Sequence, residues 1–234
     1  MISFIVACFN EQENIIKTIK EIEKSCKKLN LNKYEIIVVD DASKDISSSL
    51  VNEYKKKNNK RILLLRSKKN LGYGASVKIG AYKSTKEHII WVPGDNSHKA
   101  SEIYKIIKHI EVSDIVSTYY INSNARNFYR RLFTSFYTPV LNFFFNQSIH
   151  YYNGVTLIKK KLFLDCKIKT NSHSFQVEMW SRIFLLKEIK FKFIPTLLQD
   201  RTKGATAFKF INSIKVIYNT VKVIFLFLVK KYIL

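Results

Sequence analysis

The fold of this chain is decided by the stretch Glu35–Ser43, which reads EIIVVDDAS. Its four consecutive β-favouring apolar residues predict a short buried strand, and the Asp-Asp-Ala-Ser that follows is typical of a turn that leads into a helix. The same order of strand, polar turn and helix-length segment recurs on both sides of it. The predicted strands are Ser3–Cys8, Glu35–Val39, Ile62–Leu65 and His88–Val92, and the predicted helices cover Glu13–Leu29, a segment from about Ser47, and a segment that ends at Tyr82.

Strands separated by helix-length segments predict βαβ units, and therefore an α/β fold with a mostly parallel central sheet flanked by helices. Ligands of such sheets bind beyond the carboxyl ends of the strands. In this chain those ends carry Phe9-Asn10-Glu11, Asp40-Asp41 and Gly94-Asp95-Asn96. We therefore expect the functional site at this edge of the sheet.

The chain has 234 residues and a formal net charge of +22, from 40 Lys and Arg against 18 Asp and Glu. This length suits one domain with an appended element, and the charge favours anionic partners such as phosphorylated substrates or acidic lipid. Cys8, Cys26 and Cys166 lie far apart, which indicates free thiols in a reducing compartment rather than a zinc site. We expect a cytoplasmic protein. Because the lysines are scattered and no nucleic-acid reading motif is present, we expect no nucleic-acid partner.

The second half of the chain differs in character. Between Arg126 and Phe145, three arginines alternate with many aromatic residues, which suits either an amphipathic core helix or a helix at a membrane interface. The segment Phe208–Leu234 is apolar but interrupted, and its longest apolar run, Val223–Val229, is far shorter than the roughly 18 residues of a spanning helix. We predict a catalytic domain over 1–206 and, over 207–234, an amphipathic helix that lies in a membrane plane or packs on the protein.

Five motifs in order resemble the signatures of inverting family 2 glycosyltransferases, which have a GT-A (Rossmann-like) fold. The first three are Ala7-Cys8-Phe9-Asn10-Glu11, Val38–Ser43 and Asn70-Leu71-Gly72-Tyr73-Gly74. The last two, Phe175-Gln176-Val177-Glu178-Met179 and Asp200–Thr206, are similar to the branch of dolichol- and polyprenyl-phosphate mannosyltransferases. The resemblance covers residues 2 to about 208.

The resemblance implies a nucleotide-sugar site at the strand ends. The residues it assigns to that site are Ala7, Phe9, Glu11, Asp40, Asp41, Gly72 and Asp95. Several of these residues also have purely structural explanations. One of Asp40 and Asp41 could simply cap the next helix, and Glu11 could be an acidic residue in the first turn of a helix. Two adjacent carboxylates at the end of a buried strand are costly unless they bind something, so we expect at least one of the pair to contact the ligand.

The same resemblance implies a divalent metal, Mg²⁺ or Mn²⁺, held against the donor diphosphate by an Asp-x-Asp motif. Here the corresponding stretch is Pro93-Gly94-Asp95, so the first acid is replaced and Asp95 stands alone. Magnesium is often bound by one or two carboxylates together with substrate phosphates, so one acid can suffice. We assign Asp95 as the metal ligand and as a catalytic residue, with Ser97 and His98 as outer candidates.

The acceptor side is assigned to Glu178 and to four arginines. The family places a carboxylate near the acceptor at Glu178, although an ion pair with Arg182 one helical turn later would also explain it. A hydroxyl acceptor needs a general base, whereas a phosphate monoester is already anionic at neutral pH and needs cations instead. The cations assigned to an acceptor phosphate are Arg126, Arg130, Arg131 and Arg201. Glu178 and Arg201 are also assigned as catalytic.

We therefore expect an inverting transferase that moves a sugar from a nucleotide sugar to a polyprenyl phosphate or a lipid-linked glycan in cell-envelope synthesis. It would work in the cytoplasm, peripherally at the anionic inner face of the membrane. The alternative is a non-catalytic relative or basic binding protein, because the metal motif is incomplete at Pro93. The donor sugar, the base and the oligomeric state stay open.

Overall fold

The computed structural model describes residues 1–58, 60–122, 128–186, 188–197 and 210–233. The strands in this part of the chain are β1 (Ile2–Cys8), β2 (Tyr34–Asp40), β3 (Ile62–Arg66), β4 (His88–Pro93), β5 (Ile115–Tyr120), β6 (Thr156–Lys159) and β7 (Phe191–Thr196). The helices are α1 (Ile15–Lys28), α2 (Ser47–Asn58), α3 (Tyr73–Lys83), α4 (Ala100–Ile107), α5 (Phe128–Phe145), α6 (Lys160–Asp165), α7 (Phe175–Ile183) and α8 (Phe210–Ile233).

The seven described strands form one sheet in the order β3-β2-β1-β4-β6-β5-β7. β1 pairs in parallel with β2 and β4, and β2 pairs in parallel with β3. Among the described strands only β6 runs against the others, since it is antiparallel to β4 and β5 while β7 is parallel to β5. The predicted α/β fold with a mostly parallel sheet is confirmed.

The register brings the strand ends that carry polar residues to one edge. Cys8 lies opposite Asp40, Asp40 lies opposite Arg66, and Ala7 lies opposite Pro93. The turns that follow β1, β2 and β4 therefore start side by side, as the rule for parallel sheets requires.

Two apolar layers cover the sheet because successive side chains of a strand point to opposite faces. Ile5 and Ile37 belong to one buried cluster, which includes residues of α3, α5, α7 and α8. Phe4 and Ile36 belong to the other, under α1, α2 and α4. β1, β2 and β4 are buried on both faces, which explains why they are continuous apolar runs rather than alternating ones.

α8 packs against the domain. Its buried side chains include Val223 and Phe227, and the ring of Phe227 lies 4.8 Å from that of Phe145 on α5. The hydroxyls of Tyr137 and Thr220 hydrogen-bond at 2.7 Å between the same two helices. Of the two placements predicted for this helix, packing on the protein is observed, and in the described part of the chain no helix is long and apolar enough to span a bilayer.

The helix and strand boundaries differ slightly from those predicted. α1 begins at Ile15 instead of Glu13, because Asn14 and Ile15 both donate their N–H to the carbonyl of Glu11 and residues 12–14 form a turn. The segments β5, β6, β7, α4, α6 and α7 were not predicted, since short apolar runs do not distinguish a strand from a helix.

Candidate active site

Three left-handed residues mark the carboxyl edge of the sheet. Asn10, Ala42 and Asn96 have φ of 55°, 62° and 56°, and each lies two or three residues after the end of β1, β2 or β4. Asn tolerates this conformation, but for Ala it costs about 1–2 kcal/mol. Strained residues that a structure retains cluster at binding sites and switch regions. These three turns therefore favour the carboxyl edge of the sheet as the functional site.

Asp41 is a buried hydrogen-bond acceptor for the next loop. Its Oδ1 accepts the N–H of Leu71 at 2.7 Å, and its Oδ2 accepts the N–H of Gly72 at 2.8 Å. Gly72 has a φ of 99°, and a Cβ there would lie 2.7 Å from the carbonyl oxygen of Asn171. Asp41 thus joins two of the sequence motifs, and Gly72 has to be glycine.

Asp40 turns toward its own loop instead. The N–H of Ser43 donates to its Oδ1 at 2.9 Å, and the Ser48 hydroxyl donates to Oδ2. The guanidinium of Arg66, an exposed residue at the end of β3, lies 3.4 Å from Oδ2. Asp40 and Asp41 therefore share an edge but hold different segments, and Arg66 is a cation of this edge that the sequence did not single out.

The end of β1 holds the other assigned donor-site residues. The carbonyl of Ala7 accepts the N–H of Gly94 at 3.0 Å, which ties β1 to the turn after β4. Phe9 is partly exposed at 38%, and the carboxylate of Glu11 is buried and accepts a hydrogen bond from Asn14 at 2.8 Å. Phe9 therefore leaves part of its side chain open to solvent at this edge.

Asp95 lies in the tight turn after β4. Its Oδ1 accepts hydrogen bonds from the N–H and the hydroxyl of Ser97, at 3.1 and 2.6 Å. The turn is attached to α1, because the Thr18 hydroxyl donates to the carbonyl of Gly94 at 3.0 Å and accepts the N–H of Asn96 at 3.0 Å. Asp95 is thereby held in one orientation with 6% of its surface exposed.

Aromatic residues lie around Tyr73, and we call Tyr73, Tyr120, Tyr151 and His173 the aromatic cluster. Burial, and after it the charge of Asp95, raises the pKa of Tyr73. The rings of Tyr120 and Tyr151 lie 5.4 Å apart, and the Tyr120 hydroxyl is 3.3 Å from Nε2 of His98. His173 stacks on Tyr73 with ring centres 4.9 Å apart. Sequence reasoning missed this cluster, although Tyr120 ends a strand parallel to β1, and identifying β5 would have found it.

Glu178 lies in the first turn of α7 and is 5% exposed. Its two oxygens accept the backbone N–H groups of Lys169 and Thr170, and Arg182 donates to Oε1 at 2.8 Å. Burial acts to raise the pKa of Glu178, but the hydrogen bonds from Arg182, Thr170 and Lys169 outweigh it and hold the pKa below its ordinary value. Glu178 is a charged carboxylate at neutral pH with its oxygens occupied.

The side chains of the predicted phosphate-binding arginines lie outside the described part of the chain. Arg126 and Arg201 lie outside the described residues, and so do the side chains of Arg130 and Arg131, whose backbone belongs to α5. Their assignment to an acceptor phosphate stays a prediction.

The residues around Asp95 suit a metal ion that is bound partly by the protein and partly by a substrate. Among the described residues, no three His, Cys, Asp or Glu side chains are grouped as a metal site. One carboxylate with polar neighbours matches the way Mg²⁺ binds, through one or two carboxylates and the phosphates of a substrate. Asp95 would therefore hold an ion that arrives with a diphosphate.

The family model of glycosyl transferase family 2 matches residues 3–166, which include the strand ends described above. The chain belongs to this family. A relative from Methanocaldococcus jannaschii, an uncharacterized protein, is 31% identical over 141 residues, which are 58% of this chain and 58% of that protein. The chain thus spans little more than half the length of this curated relative.

Solved structures share the fold at low sequence identity. Glucosyl-3-phosphoglycerate synthase from Mycobacterium tuberculosis, in complex with Mn²⁺, UDP and phosphoglyceric acid, gives a TM-score of 0.69 at 12% identity and covers 97% of this chain and 78% of its own. S. aureus TarS, residues 1–349 with UDP-GlcNAc, gives 0.61 at 14% identity, with 97% and 66% covered. At these identities the likeness shows the fold alone.

The solved structures confirm the predicted GT-A fold, and the family model confirms the predicted membership of glycosyl transferase family 2. The polyprenyl-phosphate branch, the metal and the membrane stay predictions.

Proposed function

We propose that this protein is an inverting glycosyltransferase that moves a sugar from a nucleotide-sugar donor to a polyprenyl phosphate or a lipid-linked glycan in cell-envelope synthesis. The observation that carries the proposal is the arrangement at the sheet edge. Asp41 holds Gly72, Tyr73 follows it, and the charge of Asp95 acts on Tyr73. Two family motifs and the candidate metal ligand thus lie around one short segment.

In the proposed reaction an acceptor oxygen attacks the anomeric carbon from the face opposite the leaving group. The bond from that carbon to the diphosphate oxygen breaks, and its electron pair leaves with the nucleoside diphosphate, so the configuration is inverted. Asp95 would hold a divalent ion, which supplies positive charge to the leaving diphosphate when it is bound. Phe9 and Glu11 would contact the nucleotide at the end of β1.

The contacts of Glu178 favour a phosphate acceptor over a hydroxyl. A general base needs access to the proton it removes and works best with a pKa near the operating pH. Glu178 has a lowered pKa, and its oxygens accept three N–H donors. A phosphate monoester is already an anionic nucleophile and needs no base.

The exposed sides of α5 and α8 support work at an anionic membrane. On α8, Tyr218, Val221 and Phe225 are 60–69% exposed, and on α5, Phe136 and Phe143 are 68% and 80% exposed. Neither helix contains an acidic residue, whereas α8 carries the exposed lysines Lys222, Lys230 and Lys231. A surface that combines exposed apolar side chains with lysines, and that carries no acidic side chain, suits the interface of an anionic bilayer. We therefore propose a peripheral location at the cytoplasmic face.

The test combines donor binding with transfer. UDP- and GDP-sugars are compared in a thermal-shift panel with and without Mn²⁺. One of these donors should raise the Tm of the protein, since a ligand that binds the native state stabilises that state. With that donor radiolabelled, label should move to polyprenyl phosphate but not to the matched polyprenol that lacks the phosphate. No shift with any donor would contradict the proposal, and transfer to polyprenol would contradict the phosphate acceptor.

Asp95→Asn should abolish the Mn²⁺-dependent part of the Tm shift and lower the transfer rate by about 10²-fold or more. Asp165→Asn is the matched control, because Asp165 is exposed and pairs only with Lys161 among its described contacts. Donor binding without any transfer would favour the non-catalytic alternative that Pro93 suggests.

A further inference from the structure

The segment Ile168–Ser174, which we call the 168–174 loop, connects α6 to α7 and packs on the glycine turn at the start of α3. The N–H of Ala75 donates to the carbonyl of Asn171 at 3.2 Å. A Cβ on Gly74 would lie 2.7 Å from the carbonyl oxygen of Ser172. Since backbone atoms cannot give way as a flexible side chain can, the loop has to sit where Gly72 and Gly74 leave room for it.

Lys78 holds the carbonyl side of this loop. Its Nζ donates to the carbonyls of Ile168 and Lys169 at 3.2 and 3.1 Å and to Oδ1 of Asn171 at 2.7 Å. An ammonium group has three N–H donors, so all of them are used on one short segment. Burial lowers the pKa of Lys78, while the nearby charge of Glu178 acts in the opposite direction.

Glu178 holds the amide side of the same loop. Its carboxylate accepts the N–H of Lys169 at 3.1 Å and of Thr170 at 2.8 Å. The loop therefore lies between a cation that binds its carbonyls and an anion that binds its amides. Charge-assisted hydrogen bonds of this kind are the stronger ones.

The far end of the loop reaches the candidate active site. His173 is exposed to solvent yet stacks on Tyr73, with an angle of 18° between the rings. Tyr73 is the ring on which the charge of Asp95 acts. α8 holds this end too, because Asn219 donates to the Ser172 hydroxyl at 3.2 Å and the Ser174 hydroxyl donates to the carbonyl of Val216 at 3.3 Å.

We propose that Lys78 and Glu178 are positioning residues that fix the 168–174 loop from both sides, so that His173 stays stacked on Tyr73. The proposal rests on the proposed function, because the site that is positioned is the sugar-transfer site. It gives Glu178 a role other than proton transfer. The two residues act through one element and not on the substrate.

The first test does not depend on activity. The side-chain NMR signals of His173 in the full chain should show the upfield ring-current shift that stacking on Tyr73 produces. Lys78→Gln should remove that shift and Lys78→Arg, which keeps the charge and the donors, should largely restore it. Lys83→Gln, on the exposed end of the same helix, is the matched control, and the signal of His109 reports on general unfolding. An unchanged His173 shift in folded Lys78→Gln would overturn the proposal.

The second test uses the transfer reaction. Lys78→Gln and Glu178→Gln should each lower kcat by roughly tenfold to a hundredfold, because small misplacements of a site cost that much, with little change in the KM of the acceptor. Because both act through one loop, the double variant should lose much less than the product of the two. If Glu178 were a general base, its effect would multiply with that of Lys78 and leave the His173 shift unchanged, which would refute the proposal.

Should Glu178→Gln fail to fold, Gly74→Ala provides an independent perturbation of the loop, since its Cβ would press on Ser172 without removing a charge. It should change the His173 shift as Lys78→Gln does, and an unchanged shift would count against the proposal. If no donor is ever transferred, the proposed function fails, while the His173 measurements still decide whether the loop is held as described.

Discussion

Single side chains at the sheet edge act mainly on the backbone. Asp41 accepts two N–H groups of the loop before α3, Asp40 accepts one from Ser43, and Asp95 accepts one from Ser97. Buried carboxylates with such partners hold turns in conformations that the chain alone would not keep. The neighbouring Ala42, with its φ of 62°, shows that the turn after β2 is held against a local cost.

At the residue scale, Asp41→Asn should destabilise the protein by about 2 kcal/mol. Asparagine keeps the shape but offers one acceptor oxygen, so one of the N–H groups of Leu71 and Gly72 would face an NH₂ group in a buried place. Urea unfolding of the variant, compared with Asp165→Asn, measures the difference. A loss of stability no larger than that of the control would show that Asp41 does not hold this loop.

At the scale of elements, segments from the second half of the chain pack on α3, which follows the sheet edge. Side-chain hydrogen bonds join the 168–174 loop to Lys78 of α3, to Glu178 in the first turn of α7 and to Asn219 of α8. Glu178 also lies at the amino end of α7, where a negative charge interacts favourably with the helix dipole. The stability of this junction should depend on pH.

The direction of that dependence follows from the lowered pKa of Glu178. A carboxylate with a lower pKa in the folded state contributes stability above its unfolded pKa of about 4.3 and loses it as the pH falls through the folded value. The unfolding free energy of the wild type should exceed that of Glu178→Gln by about 2–4 kcal/mol near pH 7. This difference should shrink steadily below about pH 4.

Urea unfolding at several pH values measures the difference. The control is Glu53→Gln, which removes an exposed carboxylate that pairs with Lys57 and should change stability little at any pH. A difference between wild type and Glu178→Gln that grows on acidification would contradict the assignment.

At the scale of the whole molecule, charge and apolar surface are unevenly distributed. The chain carries a net charge of +22, and no Asp or Glu follows Asp200. α8 buries Val223 and Phe227 against the domain and turns Val221 and Phe225 to solvent. This side of the protein combines cations with apolar side chains, whereas the catalytic candidates lie at the sheet edge.

Val221→Asp should therefore weaken binding to vesicles that contain anionic lipid by about tenfold or more, because it removes an apolar contact and adds a repelled charge. Val112→Asp is the matched control, since Val112 is equally exposed, at 63% against 60%, but lies in the turn before β5. Co-sedimentation with vesicles at low and moderate salt measures the effect. Equal binding of the two variants would exclude α8 as the contact with the membrane.

Local patterns in the sequence determined the first half of the fold and the edge where the site lies. Apolar runs that end in Asp40-Asp41 or Gly94-Asp95 predict strands and turns, because side-chain burial and turn chemistry act over a few residues. The register of β1, β2 and β4 brings the family motifs that follow β1 and β2 and the turn after β4 to the same edge.

Only the tertiary structure decided which distant residues meet there. It inserts β6 between β4 and β5, brings the Tyr120 hydroxyl to 3.3 Å from Nε2 of His98, and joins Lys78 to Asn171, 93 positions away. Such contacts depend on the sum of many packing choices and leave no periodic signal in the chain. For the same reason Glu178, which the sequence placed near an acceptor, is seen to hold a loop only once the fold has brought Lys169 and Thr170 to its carboxylate.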